Sequence, residues 1–206
     1  MVQGTDEWFS ARLGKVTASR IGDIMSKTKS GYSASRKNYM SELICERLTK
    51  KRQESFTNAA MQWGTDTEPL AREEYEAATL NPVEEAGLID HPTIENFGAS
   101  PDGLIGEDGG LEIKCPNTAT HIEYLRTKKI PKNYILQMQT AMACTGRKWW
   151  DFVTFDPRMP SNMQMMIIRV NRDDELIGEI EYEVSKFNDE VDETVSALLE
   201  EYGDTE

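Results

Sequence analysis

Residues 99–116, ASPDGLIGEDGGLEIKCP, constrain the chain more than any other stretch. Pro101-Asp102 is followed, after nine residues, by Glu112-Ile113-Lys114. Glycines at 103, 106, 109 and 110 and the acids Glu107 and Asp108 mark a tight connection, because glycine reaches backbone angles that other residues avoid. The flanks, 97–99 and 111–115, read as two short strands joined by that turn. Alternation on the second strand puts Glu112 and Lys114 on one face and Leu111, Ile113 and Cys115 on the other. A hairpin-like return brings Asp102 beside Glu112. Two carboxylates and an ammonium at one sheet edge suit metal-assisted phosphodiester hydrolysis. The carboxylates offer Mg²⁺ hard oxygen ligands, and the lysine orients or helps deprotonate the attacking water. Ser-Pro-Asp-Gly is also an ordinary turn sequence, and Glu-x-Lys recurs on solvated strands, so these residues alone leave both readings open.

The rest of the chain narrows the choice. With 206 residues, 38% hydrophobic and 29% charged, it has the size and composition of one soluble globular domain. No apolar run approaches the roughly 18 residues of a membrane span. The N-terminal stretch carries neither a basic leader nor an apolar segment, so no secretory signal is expected. Three widely spaced cysteines, Cys45, Cys115 and Cys144, point to a reducing cytoplasm without a disulfide framework, and they are too few for the usual four-cysteine iron–sulfur cluster. The net charge of −13 opposes nucleic-acid binding as a sum, yet it is unevenly spread. Residues 173–206 hold fourteen acids and one base, leaving 1–172 neutral. Within that body, 27–52 carries eight bases against Glu42 and Glu46, a basic region open to DNA.

Helix signals run through the first 80 residues. Thr5 caps a short helix ending at Gly14, and Thr17-Ala18-Ser19 opens a second through Ile21, Ile24 and Met25. Residues 27–35 read as an exposed basic loop, followed by a helix with Tyr39, Leu43, Ile44 and Leu48 on its inner face. A connection is expected over 52–58 and a helix over 59–78. Strands are expected at 83–89, 95–99, 111–115, 149–155 and 165–170, with helices at 119–126 and 134–144. The last segment repeats Ile177, Ile180, Val184, Phe187, Val191, Val195 and Leu198 at steps of three and four, an amphipathic helix whose acids form a solvated outer face. The result is an α/β chain, an α+β mixed sheet with helical additions. It divides into a helical part at 1–80, a sheet core at 81–172 and an acidic helix at 173–206, all within one domain. Trp8 and Trp63 read as core residues, and His91 and His121 as structural, because neither histidine has neighbours at metal-ligand spacing. No Walker-type phosphate loop is present, so no nucleotide cofactor is expected.

Several pieces occur together in order: Glu7-Trp8-x-x-x-Arg12-x-Gly14-x-x-Thr17-Ala18-Ser19, Trp63-Gly64-x-x-x-Glu68, Ser100-Pro101-Asp102-Gly103, Leu111-Glu112-Ile113-Lys114-Cys115-Pro116 and Gln137-x-Gln139. Over roughly 5–170 the chain resembles the phage lambda exonuclease family, the YqaJ-type viral recombinase nucleases. The turn at 156–159 resembles it too.

That resemblance implies a restriction-endonuclease-like core with a PD-(D/E)xK site. It also implies Mg²⁺-dependent, processive 5′→3′ degradation of one strand at double-stranded DNA ends, in a ring-shaped homotrimer. A 3′ single strand is left for a partner annealing protein, in the cytoplasm of a phage-carrying bacterial host. Mn²⁺ is an acceptable substitute, since both metals take oxygen ligands. Carried over by position, Asp102, Glu112, the Ile113 carbonyl and Glu68 surround the metals, and Lys114 and Gln137 hold the water and scissile phosphate. Arg12, Ser19 and Ser100 match the pocket for the terminal 5′-phosphate. Met61 matches an apolar wedge that frays the duplex end, and Lys29 is a duplex phosphate contact. The same core could instead serve a duplex endonuclease or a non-catalytic DNA-end adaptor. The phosphate pocket argues against the first, and the intact Asp102, Glu112 and Lys114 against the second.

Overall fold

A computed structural model describes residues 2–53 and 58–203. The connection expected over 52–58 thus falls outside the described residues at 54–57, as does the end of the acidic segment at 204–206. The Thr5 hydroxyl accepts the Trp8 amide at 3.3 Å and starts α1 (Asp6–Arg12). The helix expected from Thr17 begins later. Val16–Thr17 forms β1, Ala18–Arg20 a 3-10 turn and Ile21–Met25 the helix α2. The cause is tertiary: Val16 and Thr17 pair in parallel with Phe97 and Gly98. The expected loop at 27–35 contains a small hairpin of β2 (Lys27–Thr28) and β3 (Gly31–Tyr32). Ser33 caps α3 (Ala34–Thr49), and Asn58 caps α4 (Ala59–Thr79) by accepting the Met61 amide at 2.9 Å.

Where one strand was expected at 83–89, only β4 (Ile89–Asp90) and an isolated bridge from Glu84 to Leu104 form. β5 (Phe97–Ala99) sits between β1 and β4 in a three-stranded sheet, so it is not the hairpin partner of the Glu112 strand. That partner is β6 (Gly103–Ile105), which pairs antiparallel with β7 (Gly109–Lys114). Gly109 and Gly110, which look like turn residues in the sequence, belong to the strand. A Cβ on Gly109 would lie 2.2 Å from the Trp149 ring, and one on Gly110 2.4 Å from Trp150. Their glycines answer the indoles of the next strand.

α5 (Thr118–Thr127) and α6 (Lys132–Thr145) carry the chain across to β8 (Trp149–Phe155), parallel to β7, and β9 (Met165–Asn171) closes the order β6-β7-β8-β9. This four-stranded mixed sheet is covered on both faces. Ala71 and Tyr75 of α4 pack on Leu111, Ile113, Val153 and Phe155, while Met138, Ala141 and Met142 of α6 pack on Trp150 and Phe152. The alternation expected along β7 therefore holds: Leu111, Ile113 and Cys115 face α4.

The last helix, α7 (Asp174–Tyr202), buries Ile180, Val184, Phe187 and Val191 against Tyr39, Leu43, Ile21 and Ile24. Each such side chain contributes about 1.5–3 kcal/mol on burial. Its acids do more than face solvent. Glu183 accepts Lys27 Nζ at 2.6 Å and the Tyr32 hydroxyl at 2.7 Å, Glu190 takes Arg36 in a two-bond fork, and Asp192 accepts Arg47 at 2.6 Å. The basic region at 27–52 is thus partly spent on α7 and is not a free cationic face.

Candidate active site

The register of the β6–β7 hairpin builds the site. Gly103 pairs with Leu111, so continuing the antiparallel ladder by one step sets Asp102 opposite Glu112. Beyond the end of β6 the Ile113 amide has no strand partner on that side, and the Asp102 Oδ2 accepts it at 2.7 Å. The nine residues between Asp102 and Glu112 are thus what one short hairpin needs to return a carboxylate to the adjacent backbone. Glu112 is 1% exposed. Its Oε1 receives both the Lys114 ammonium and Gln137 Nε2, the latter at 2.7 Å. Lys114 also lies 5.1 Å above the ring of Tyr134, one turn before Gln137 on α6.

Glu68, on α4, pairs with Arg72 at 2.8 Å. Arg72 also holds Glu85. Burial, together with the negative charge on Asp102, pushes the Glu68 carboxyl up to about 7. Burial likewise pushes Glu112 up to about 7, with Lys114 opposing and Asp102 and Glu68 adding to the rise. Asp102 is raised for the same reason, against the pull of Lys114 and the Ile113 amide. For Lys114 burial opposes the charge, but the fields of Glu112 and Asp102 prevail and hold the ammonium above its ordinary range. The structure therefore joins Glu112, Lys114 and Gln137 by direct contacts, ties Asp102 to the same strand through the Ile113 amide, and sets Glu68 where the Asp102 charge acts on it.

A cavity of about 340 Å³ is lined by Trp8, Arg12, Ser19, Tyr39 and Met61, among others. Arg12 is half-buried, and its Nη1 donates to Ser100 Oγ at 3.0 Å. Among the described residues no carboxylate lies within ion-pair distance of it. Burial pulls the guanidinium below its ordinary value. Ser100, the partner of Arg12, stands two residues before Asp102 in the chain. Ser19 is exposed at the cavity wall, and Met61 is 53% exposed on the first turn of α4. Lys29 sits exposed at the turn of the β2–β3 hairpin and is not among the residues lining that cavity.

Two expectations change. Trp8 is half-buried at the cavity wall rather than in the core, with Arg12 stacked 4.2 Å from its ring centre. Trp63 is half-buried under Arg158, which lies 4.2 Å from its ring centre. The place of Trp8 at the wall is not legible in the sequence, although the four-residue spacing of Trp8 and Arg12 on a helix puts them on one face. Gln139 is buried and binds Asn171 O and the Asp173 amide, pinning α6 to the start of α7. His91 and His121 are structural: His91 bonds Glu181 at 3.0 Å and His121 bonds Met163 O at 2.8 Å.

The donor chemistry suits a hard divalent cation. Asp102 and Glu112 supply carboxylate oxygens on one strand edge, with the Ile113 carbonyl between Glu112 and Lys114 in sequence. Burial raises the carboxyls of Glu112 and Asp102 even with Lys114 beside them, and a divalent cation would favour their charged forms. Among the described residues no group of three His, Cys, Asp or Glu side chains is arranged to hold a metal by itself. Such a cation needs the main-chain carbonyl, water or substrate to complete its shell.

Comparison with known proteins now bears on the site. Residues 7–148 match the YqaJ-like viral recombinase domain. Two crystal structures of LHK-Exo, an alkaline exonuclease from Laribacter hongkongensis, are 57% identical, with 96% of this chain and 97% of that chain covered. Their TM-scores are 0.91, for the complex with dAMP, and 0.90. A phage related exonuclease from Haemophilus somnus 129PT shares the fold at 18% identity and a TM-score of 0.73, over 89% of this chain and 96% of that one. No curated protein matches. The chain belongs to the YqaJ-like viral recombinase family, and it is an exonuclease, a phosphodiester hydrolase.

Proposed function

We propose that this protein is a Mg²⁺-dependent, processive 5′→3′ exonuclease that acts on double-stranded DNA ends and leaves 3′ single strands for recombination by annealing. The observation that carries the polarity is Arg12: a half-buried guanidinium without a carboxylate partner among the described residues, bonded to Ser100, two residues from Asp102. A desolvated cation beside hydroxyl groups takes an anion, and a terminal 5′-phosphate supplies one within reach of the acid pair. The dAMP bound by LHK-Exo is a 5′-mononucleotide, the kind of product such cleavage releases.

In this reading residues 1–206 act as one nuclease unit on a restriction-endonuclease-like PD-(D/E)xK core. Asp102, Glu112 and the Ile113 carbonyl hold the metal, with Glu68 beside them. Mg²⁺, or Mn²⁺ in its place, supplies Lewis acidity at the scissile phosphate and charge for the leaving oxygen. Lys114, held as an ammonium by Glu112 and Asp102, donates to the attacking water or to a phosphate oxygen, and Gln137 fixes the Glu112 carboxylate that directs it. Water attacks phosphorus and the bond to O3′ of the terminal nucleotide breaks. The terminal mononucleotide leaves, and the next residue inherits a 5′-phosphate. Arg12, Ser19 and Ser100 receive that new phosphate, which gives direction and repetition. Met61 meets the duplex end and Lys29 a more distant phosphate. The ring trimer, the annealing partner and residence in the host cytoplasm are carried from the family resemblance.

The test is degradation of linear duplexes labelled at the 5′ or 3′ end, bearing 5′-phosphate or 5′-hydroxyl, with a closed circle alongside, in Mg²⁺ and in EDTA. Metal-dependent loss of the 5′-phosphorylated strand with the circle spared is expected. Cutting of the circle would mean an endonuclease, and bound but uncut ends an adaptor.

A further inference from the structure

Ser100 Oγ occupies an unusual bonding position. It lies 3.0 Å from Trp8 Nε1 and 3.0 Å from Arg12 Nη1. Both neighbours are obligate donors, and a hydroxyl offers two acceptor lone pairs and one proton. The two donors fill the acceptor side. The Ser100 proton itself goes to no partner among the described residues, so it is left available to an acceptor bound beside Arg12. Trp8 acts on Arg12 as well, because the guanidinium lies 4.2 Å from its ring centre, which fixes the guanidinium plane while most of its N–H groups remain available. The geometry is anchored at both ends. Thr5 caps the helix that carries Trp8, and Ser100 is set between β5 and Pro101.

We infer that Trp8 is a specificity-determining positioning residue for the terminal phosphate: its indole N–H turns the Ser100 hydroxyl into an outward donor and its ring holds Arg12 beside it. This rests on the phosphate-end reading above. Without the indole N–H, Ser100 regains a free lone pair, its proton is no longer committed outward, and the pocket presents a mixed acceptor and donor to an anion that accepts only. Discrimination for a phosphorylated end therefore depends on Trp8 through its hold on Ser100 and Arg12.

The experiment compares kcat/KM on linear duplexes with 5′-phosphate and 5′-hydroxyl ends for the full-length wild type, Trp8→Phe, Trp8→His, Ser100→Ala and the double variant Trp8→Phe/Ser100→Ala, with thermal unfolding of each. Trp8→Phe keeps a ring beneath Arg12 and removes the N–H, and is expected to lower the phosphate-to-hydroxyl ratio about fivefold, mainly through KM. Trp8→His, which restores a ring donor, is expected to recover part of the ratio. The double variant is expected to discriminate no worse than Ser100→Ala alone, because Trp8→Phe acts through that hydroxyl. An equal fall on both substrates would mark Trp8 as structural only and overturn the inference. So would additive losses in the double variant. A wild type indifferent to end chemistry would overturn the phosphate-end reading itself, which separates the two failures.

Discussion

Gln137 Nε2 donates to Glu112 Oε1 at 2.7 Å, and the Lys114 ammonium contacts that same oxygen. One oxygen of the buried carboxylate is thus committed to two protein donors, which fixes its plane and leaves Oε2 without a protein donor among the described residues. Gln137, two turns into α6, aims a ligand without being required as one. Gln137→Ala should raise the Mg²⁺ concentration needed for half-maximal activity by roughly tenfold, in the range of other residues that orient metal ligands. Metal titrations of the initial rate check this, and an unshifted midpoint would remove Gln137 from the site.

The carboxyl cluster predicts a pH effect on the metal-free protein. Burial first, and then mutual repulsion, places Glu112 and Glu68 at about 7, above the ordinary glutamate value of about 4.3. Between those values the folded state holds more protons than the unfolded state, so stability falls as pH rises through that window. A divalent cation needs the deprotonated carboxylates, so its affinity rises over the same window. Without metal, Tm should drop from pH 5 to pH 8, and added Mg²⁺ should restore more of it at pH 8 than at pH 5. Differential scanning calorimetry with and without EDTA reads both. A pH-independent effect of Mg²⁺ on Tm would contradict the assignment.

α7 holds the N-terminal helices by a greasy stripe and a set of ion pairs. Phe187 is fully buried and stacks on Tyr39 with ring centres 5.6 Å apart. Phe187→Ala should cost about 3–5 kcal/mol. Glu190→Gln weakens the fork to the buried Arg36 and should cost about 1–2 kcal/mol, since Glu190 itself is partly solvated. Urea unfolding checks both. A loss for Glu190→Gln as large as that for Phe187→Ala would show that charge, not packing, docks this helix.

The turn at 156–159 ties three elements together. Asp156 accepts Arg158 Nε at 2.7 Å and Thr118 Oγ1 at 2.6 Å, while Arg158 covers Trp63 near the start of α4. The Arg158 bond holds the Asp156 carboxyl down at about 2, against burial. The stability it gives is present above the ordinary aspartate value and is lost as pH falls through about 2. Arg158→Ala should lower the urea midpoint at pH 7 and flatten the acid limb of the stability profile. An acid limb as steep as that of the wild type would place its cause elsewhere.

The acid pair was legible in the sequence because a hairpin register is a local property: the spacing from Asp102 to Glu112 states the turn. The partner strand was not, because Gly103, Gly109 and Gly110 look like turn residues until Val83, Trp149 and Trp150 are known to crowd their positions. Thr17 was read as a helix start because its pairing with Gly98 spans eighty residues. The basic region looked free for the same reason. Its partners Glu183, Glu190 and Asp192 lie far along the chain, and composition cannot show that they take up Lys27, Arg36 and Arg47. Placements that follow from neighbours along the chain are legible in the sequence, and those whose environment arrives from a distant segment are not.

The most direct test of the active site is the release of 5′-mononucleotides from a 5′-phosphorylated linear duplex by wild type and Lys114→Ala, with end binding measured in parallel by fluorescence anisotropy in EDTA. The wild type should release mononucleotides in Mg²⁺. Lys114→Ala should lose activity by about 10³-fold or more while binding ends within a few fold of wild type. Full turnover by Lys114→Ala would contradict the site described at Asp102, Glu112 and Lys114.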